Sequence, residues 1–170
     1  MARIIKYIET TSDGEGVRLS CYFSGCSLAC KGCHNPISWD ENFGEYFGKE
    51  KQSEIINQLK NMIKPNLTLT GGNPMESSVE LIRFIKFAKS KIRNLNIWIY
   101  SGFRLDEILE DINMKELLYE CDVLVDGRFE IDKKDLSMAY RGSSNQKIYK
   151  KINNVFIDKD LIMWYIIIVG

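Results

Sequence analysis

Three cysteines fall within eight residues, in a C-x3-C-x2-C loop that reads Gly25-Cys26-Ser27-Leu28-Ala29-Cys30-Lys31-Gly32-Cys33-His34-Asn35. No other stretch limits the fold as much, because the frame must present Cys26, Cys30 and Cys33 to one compact inorganic centre. Soft thiolates favour iron-sulfur clusters, zinc or copper(I) over hard cations. A cubic four-iron cluster held by three cysteines leaves one iron open to an outside ligand, and an open iron is a place for chemistry. Zinc with His34 as fourth ligand, and disulfides, are the competing readings. Zinc fits less well, since Cys33 and His34 are adjacent and would have to turn toward one ion from opposite sides of the chain. A second C-x2-C pair to complete a finger or ribbon is also missing.

The 170 residues are expected to form one domain, 1–170, with chain enough to bury a substantial core. Lysine plus arginine balances aspartate plus glutamate at 23 each, so no overall field draws the chain to nucleic acid or acidic lipid. The start, Met1 to Tyr7, lacks the apolar core and cleavage site of a secretory signal, and no run approaches the ~20 apolar residues of a membrane span. A reducing cytoplasm is the expected location, with no nucleic-acid or membrane partner. Five cysteines there suit a metal site better than a disulfide framework.

Val17 to Phe23 alternates, with Val17, Leu19, Cys21 and Phe23 on one face and Arg18, Ser20 and Tyr22 on the other, which predicts a strand with one apolar face. Cys21 and Cys121 read as core. Arg3 to Ile8 is an additional short strand. Helical spacing covers Lys51 to Lys64, with Ile55, Ile56, Leu59, Met62 and Ile63 inward. Leu67 to Thr70 is a strand that runs into the turn Gly71-Gly72-Asn73-Pro74. Ser77-x-x-Glu80 predicts a capping box for a helix reaching Lys91. Leu95 to Tyr100 and Val123 to Val125 are further strands, and Arg104 to Glu120 is helical in two pieces broken at Asn113. Strands alternating with helices imply right-handed βαβ units. The cysteine loop, Gly71 to Pro74, Ser101-Gly102 and Asp126-Gly127 all follow strand C-termini, the edge where α/β folds bind ligands. A closed eight-unit barrel needs ~200 to 250 residues. The expected fold is therefore an α/β partial open barrel with a mostly parallel sheet of about five to six strands.

The cysteine loop resembles the signature of the radical S-adenosylmethionine enzymes. With the Gly71-Gly72 turn, Trp98-x-Tyr100-x-Gly102, Asp122-Val123-Leu124-Val125-Asp126-Gly127 and Arg141-Gly142-Ser143-Ser144-Asn145-Gln146, the chain is similar, over roughly residues 10–150, to the activating proteins of anaerobic ribonucleoside-triphosphate reductase. The resemblance implies a radical oxidoreductase. An external one-electron donor, such as a flavodoxin-like protein, reduces a [4Fe-4S] cluster, which cleaves S-adenosyl-L-methionine to methionine and a 5′-deoxyadenosyl radical. That radical takes a hydrogen from a glycine of the reductase, leaving a stored glycyl radical. No side-chain acid or base is required, because cluster and cofactor carry the hard step.

Carried over residue by residue, Cys26, Cys30 and Cys33 match the cluster ligands, and Gly32, Cys33 and His34 match the segment against the cofactor's adenine. Gly71 and Gly72 match the turn whose carbonyls receive the methionine ammonium. Asn73 departs from the acidic residue commoner there: its oxygen can accept a hydrogen bond but offers no countercharge. Weaker cofactor binding is expected, improved by Asn73→Asp. Ser101 and Asp126 are further cofactor-binding candidates, with a turn-stabilising role equally open for Asp126. Trp98 and Tyr100 are divided between core and cofactor. Arg141 to Gln146 is assigned to cofactor or partner contact, and His34 to structuring its loop rather than to a metal.

Two other functions stay open: activation of another glycyl-radical enzyme or a small radical modifying enzyme, and a zinc-stabilised interaction module without catalysis. Leu161 to Val169, nine uncharged residues, is too short to span a bilayer and reads as a terminal strand, buried in the fold or against a partner.

Overall fold

The computed structural model describes residues 1–162, so the apolar stretch from Leu161 lies, beyond Ile162, outside the described residues. Eight strands form one open sheet: β1 (Arg3–Thr10), β2 (Arg18–Phe23), β3 (Glu45–Tyr46), β4 (Asn66–Gly71), β5 (Asn96–Tyr100), β6 (Val123–Asp126), β7 (Lys147–Ile152) and β8 (Val155–Asp158), in the order β3-β1-β2-β4-β5-β6-β7-β8. The sheet is mixed, which corrects the expectation of a partial open barrel with a mostly parallel sheet of five to six strands. β2, β4, β5 and β6 run parallel, and these are the four strands that alternate with helices. The other pairings, β1 with β2 and β3, β6 with β7 and β7 with β8, are antiparallel and outnumber the parallel ones four to three. Their cause is local. β1 returns into β2 through a short polar loop, and β7 turns into β8 through Asn153-Asn154, both at positive φ (50° and 61°), the geometry of a two-residue hairpin turn.

Register makes the two faces of the parallel strands different in kind. Cys21, Leu69, Ile99 and Leu124 align in one row, and with Leu19, Leu67 and Ile97 they form the floor of the main core. Helices α1 (Lys49–Asn61), α2 (Ser78–Lys91), α3 (Leu105–Glu110) and α4 (Ile112–Tyr119) supply its cover through residues such as Ile55, Leu59, Leu81, Ile85, Ile108 and Leu117. Edge-on contacts of Phe23 with Phe47 and of Phe47 with Phe84, each 5.0 Å between ring centres, tie the sheet to α2. Cys21 and Cys121 are fully buried, as their positions implied.

The neighbouring row on the other face is Ser20, Thr68, Trp98 and Val123. Both faces of β2 are covered, so Arg18 is 1% exposed although it belongs to the polar side of the alternation. Among the described residues no carboxylate pairs with it directly. Instead its five donors reach Thr68 Oγ1 (2.7 Å), the carbonyls of Glu15, Leu67 and Asn96, and Asn96 Oδ1 (3.0 Å), while the guanidinium stacks over Trp98. Burial lowers its pKa to about 10. A guanidinium satisfied at every N–H is a buried charge the fold can tolerate, and it fastens three strands together.

Smaller departures from expectation have equally plain causes. α1 ends at Asn61, which leaves Ile63 fully exposed. Ser77 makes no side-chain cap, and Glu80 lies 3.9 Å from the amino group of Met1 instead. The break between α3 and α4 falls at Asp111, whose carboxylate accepts the N–H groups of Asn113 and Met114.

Candidate functional site

The cysteine loop leaves the C-terminal end of β2 and is built against the turns that follow β4 and β5. Gly72 N–H donates to the carbonyl of Phe23 and Asn73 N–H to that of Gly25, both at 2.8 Å. Gly25 N–H donates to the carbonyl of Ser38 and Cys26 N–H to that of Trp39, so the 3-10 turn that follows the loop, Pro36–Trp39, is fixed to it as well. A Cβ on Gly72 would stand 2.5 Å from the Gly25 carbonyl oxygen and 2.8 Å from that of Ser38. The glycine is thus required by the approach of the protein's own backbone, a stronger reason than room for a ligand. Leu28 closes over Gly102, and Ile131 lies over Gly32, 2.9 Å from where a side chain would begin.

Glu76 adds a bond that sequence reasoning missed. Its carboxylate accepts the Ser27 N–H (2.9 and 3.2 Å) and the Ser27 hydroxyl (3.0 Å), between the first two cysteines. Asn73 is 1% exposed; its Nδ2 lies 3.4 Å from Glu76, and its Oδ1 accepts the Ser101 hydroxyl at 3.1 Å. Ser101 Oγ in turn accepts the Phe103 N–H. These contacts join Gly25, Cys26 and Ser27 to Gly72, Asn73, Glu76 and, through Asn73, Ser101, with the Asn73 amide and Ser101 hydroxyl already engaged, whereas Gly32 lies against Ile131 and His34 is exposed.

Asp126 is directed elsewhere. Its carboxylate accepts the Leu105 N–H at 2.6 Å, at the start of α3, and burial raises its pKa against that bond. It lines a cleft of about 530 Å³ with Arg104, Arg128, Lys147 and Tyr149, to which no residue of the cysteine loop contributes. The turn-stabilising role is the one its contacts describe. Trp98 is core, packed edge-on against Tyr140 at 5.4 Å. Arg141 to Gln146 folds on itself: Gln146 Oε1 accepts the Gly142 and Ser143 N–H groups, and its Nε2 donates to the Gly127 carbonyl. Asn145 Nδ2 donates to the Arg128 carbonyl. These contacts pin the end of β6.

The three loop cysteines are half-buried free thiols. Burial pushes the Cys26 thiol above its usual value, while the Leu28 and Ala29 N–H groups pull it down. Among the described residues no three Cys, His, Asp or Glu side chains are gathered closely enough to grip one ion. A cubic cluster makes a different demand, since each thiolate takes its own iron and the sulfurs stand apart. His34 is exposed and Cys33 accepts the Asn35 N–H, an arrangement that suits a cluster-binding loop better than a single zinc. Two residues before Cys26, the buried Ser24 hydroxyl has no partner among the described residues. A donor set of three soft thiols on a backbone-fixed loop, beside an unspent polar group, fits an iron-sulfur cluster.

A family model described as a 4Fe-4S single cluster domain matches residues 12–149. The anaerobic ribonucleoside-triphosphate reductase-activating protein of Pasteurella multocida is 38% identical over 142 residues, spanning 81% of this chain and 90% of that one. The protein of the same name from Haemophilus influenzae is 39% identical over the same shares, and that from Escherichia coli is 32% identical over 141 residues. The chain belongs to this family of activating proteins. The family model covers the stretch that holds the cysteine loop, all four parallel strands and the first half of β7. No helix among the described residues is long and apolar enough to cross a membrane.

Proposed function

We propose that this protein activates an anaerobic ribonucleoside-triphosphate reductase as a radical S-adenosylmethionine enzyme, with Cys26, Cys30 and Cys33 holding a [4Fe-4S] cluster. The observation that carries this reading is the loop of three free thiols fixed to the turns after β4 and β5. When bound, cluster and cofactor supply one-electron cleavage of S-adenosylmethionine and hydrogen abstraction from a glycine of the reductase. The chain's own residues position and shield. Gly72 lets the β4 turn lie against the loop, and Leu28 and Ile131 set apolar side chains over Gly102 and Gly32. A one-electron donor protein is required, and the cytoplasm is the proposed location.

Anaerobic iron and sulfide analysis of reconstituted protein tests the site first. Four irons and four sulfides per chain, lost in Cys30→Ala and kept in Cys121→Ser, are expected. Incubation with dithionite, S-adenosylmethionine and the reductase should then give methionine and a protein radical by electron paramagnetic resonance. About one zinc per chain without sulfide would replace this reading with a zinc-stabilised module, and a radical formed only on a different glycyl-radical enzyme would replace the partner.

A further inference from the structure

We infer that Glu76 supplies the negative charge that holds the ammonium-bearing end of S-adenosylmethionine against the cysteine loop, an inference that rests on the cofactor reading above. Among the described residues Glu76 is the carboxylate hydrogen-bonded to that loop, through Ser27. Its side chain is exposed, and Oε2 makes only the longer of its two contacts to the Ser27 N–H, which leaves acceptor capacity facing outward. The two candidates that the sequence offered for this role are spent or uncharged. Asp126 is 4% exposed and committed to the Leu105 N–H. Asn73 is neutral, and its oxygen is taken by Ser101. A ligand whose amino and sulfonium groups are both cationic therefore meets a full countercharge at Glu76, where a charge-assisted hydrogen bond can form.

The same geometry reverses the expectation for Asn73→Asp. A carboxylate placed there would stand beside Glu76, where the Asn73 amide now lies 3.4 Å from Oε1, and two like charges at that range oppose each other. On its own the substitution gains no affinity. Once Glu76 is neutral, the same substitution returns the lost charge one hydrogen bond away.

Equilibrium dialysis of S-adenosylmethionine with cluster-loaded protein, kept anaerobic, separates the possibilities. Glu76→Gln retains the shape and an acceptor for Ser27, and is expected to bind about 10-fold more weakly, which is about 1.4 kcal/mol. Adding Asn73→Asp to Glu76→Gln should recover most of that loss. If Glu76 only latches Ser27, Glu76→Gln will lower iron and sulfide content, keep wild-type affinity per cluster and show no recovery in the double variant, which overturns the inference. Wild-type protein that loads its cluster but does not bind S-adenosylmethionine would instead overturn the reading beneath it.

Discussion

Gly72 has two carbonyl oxygens where a side chain would start, and both belong to the cysteine loop or to the 3-10 turn that follows it. Neither oxygen can step aside without moving backbone, so Gly72→Ala must push the β4 turn away from the thiols. Overpacking of this kind costs about 1–3 kcal/mol, and the loss should appear in urea unfolding of the cluster-free protein together with weaker cluster retention. Gly102 is a useful contrast. There the obstacle is the end of the Leu28 side chain, which can change rotamer, so Gly102→Ala should cost less than about 1 kcal/mol. Equal losses at the two positions would mean that backbone approach is not what Gly72 protects.

The β7–β8 hairpin is one of the elements that make the sheet mixed, and two residues decide its turn. Ile152 pairs with Val155, leaving Asn153 and Asn154 as the whole turn, both left-handed. Asparagine tolerates that region better than other residues with a Cβ, and glycine at the second position is better still. Asn154→Ala should lower stability by about 1 kcal/mol, whereas Asn154→Gly should match or exceed the wild type in thermal unfolding. A hairpin indifferent to both changes would not depend on this turn. Asn153-Asn154 was the available signal, but Lys147 to Ile152 carries little apolar alternation to draw notice to it, because only Ile148 in that strand is fully buried. The parallel strands were legible for the opposite reason: their apolar residues repeat at period two and their helices at one-face spacing. The thiols were legible because three cysteines in one loop have few chemical explanations. Glu76 was not, since its partner Ser27 is 49 residues away and no local pattern reports such a contact.

At the scale of the whole molecule, the fold buries ionisable groups that it keeps protonated. Burial raises Cys21 and Cys121 above the usual thiol value, and burial first, then the Asp13 carboxylate, raises Tyr22 and Tyr100. Tyr149, on β7, is pushed up to about 12 by burial and neighbouring carboxylates. Each folded value lies above the unfolded one, so the stability they contribute is complete at neutral pH. It falls once the unfolded chain releases protons that the folded chain retains. The decline should begin near the ordinary cysteine value of about 8.5 and steepen past the tyrosine value of about 10. Cys121→Ala is the control, because it removes one of the earliest contributors. Its urea midpoint should start lower from the lost packing but drop less between pH 8 and pH 10 than that of the wild type. Parallel curves for the two proteins would show that the buried thiols are not what makes the fold sensitive to alkali.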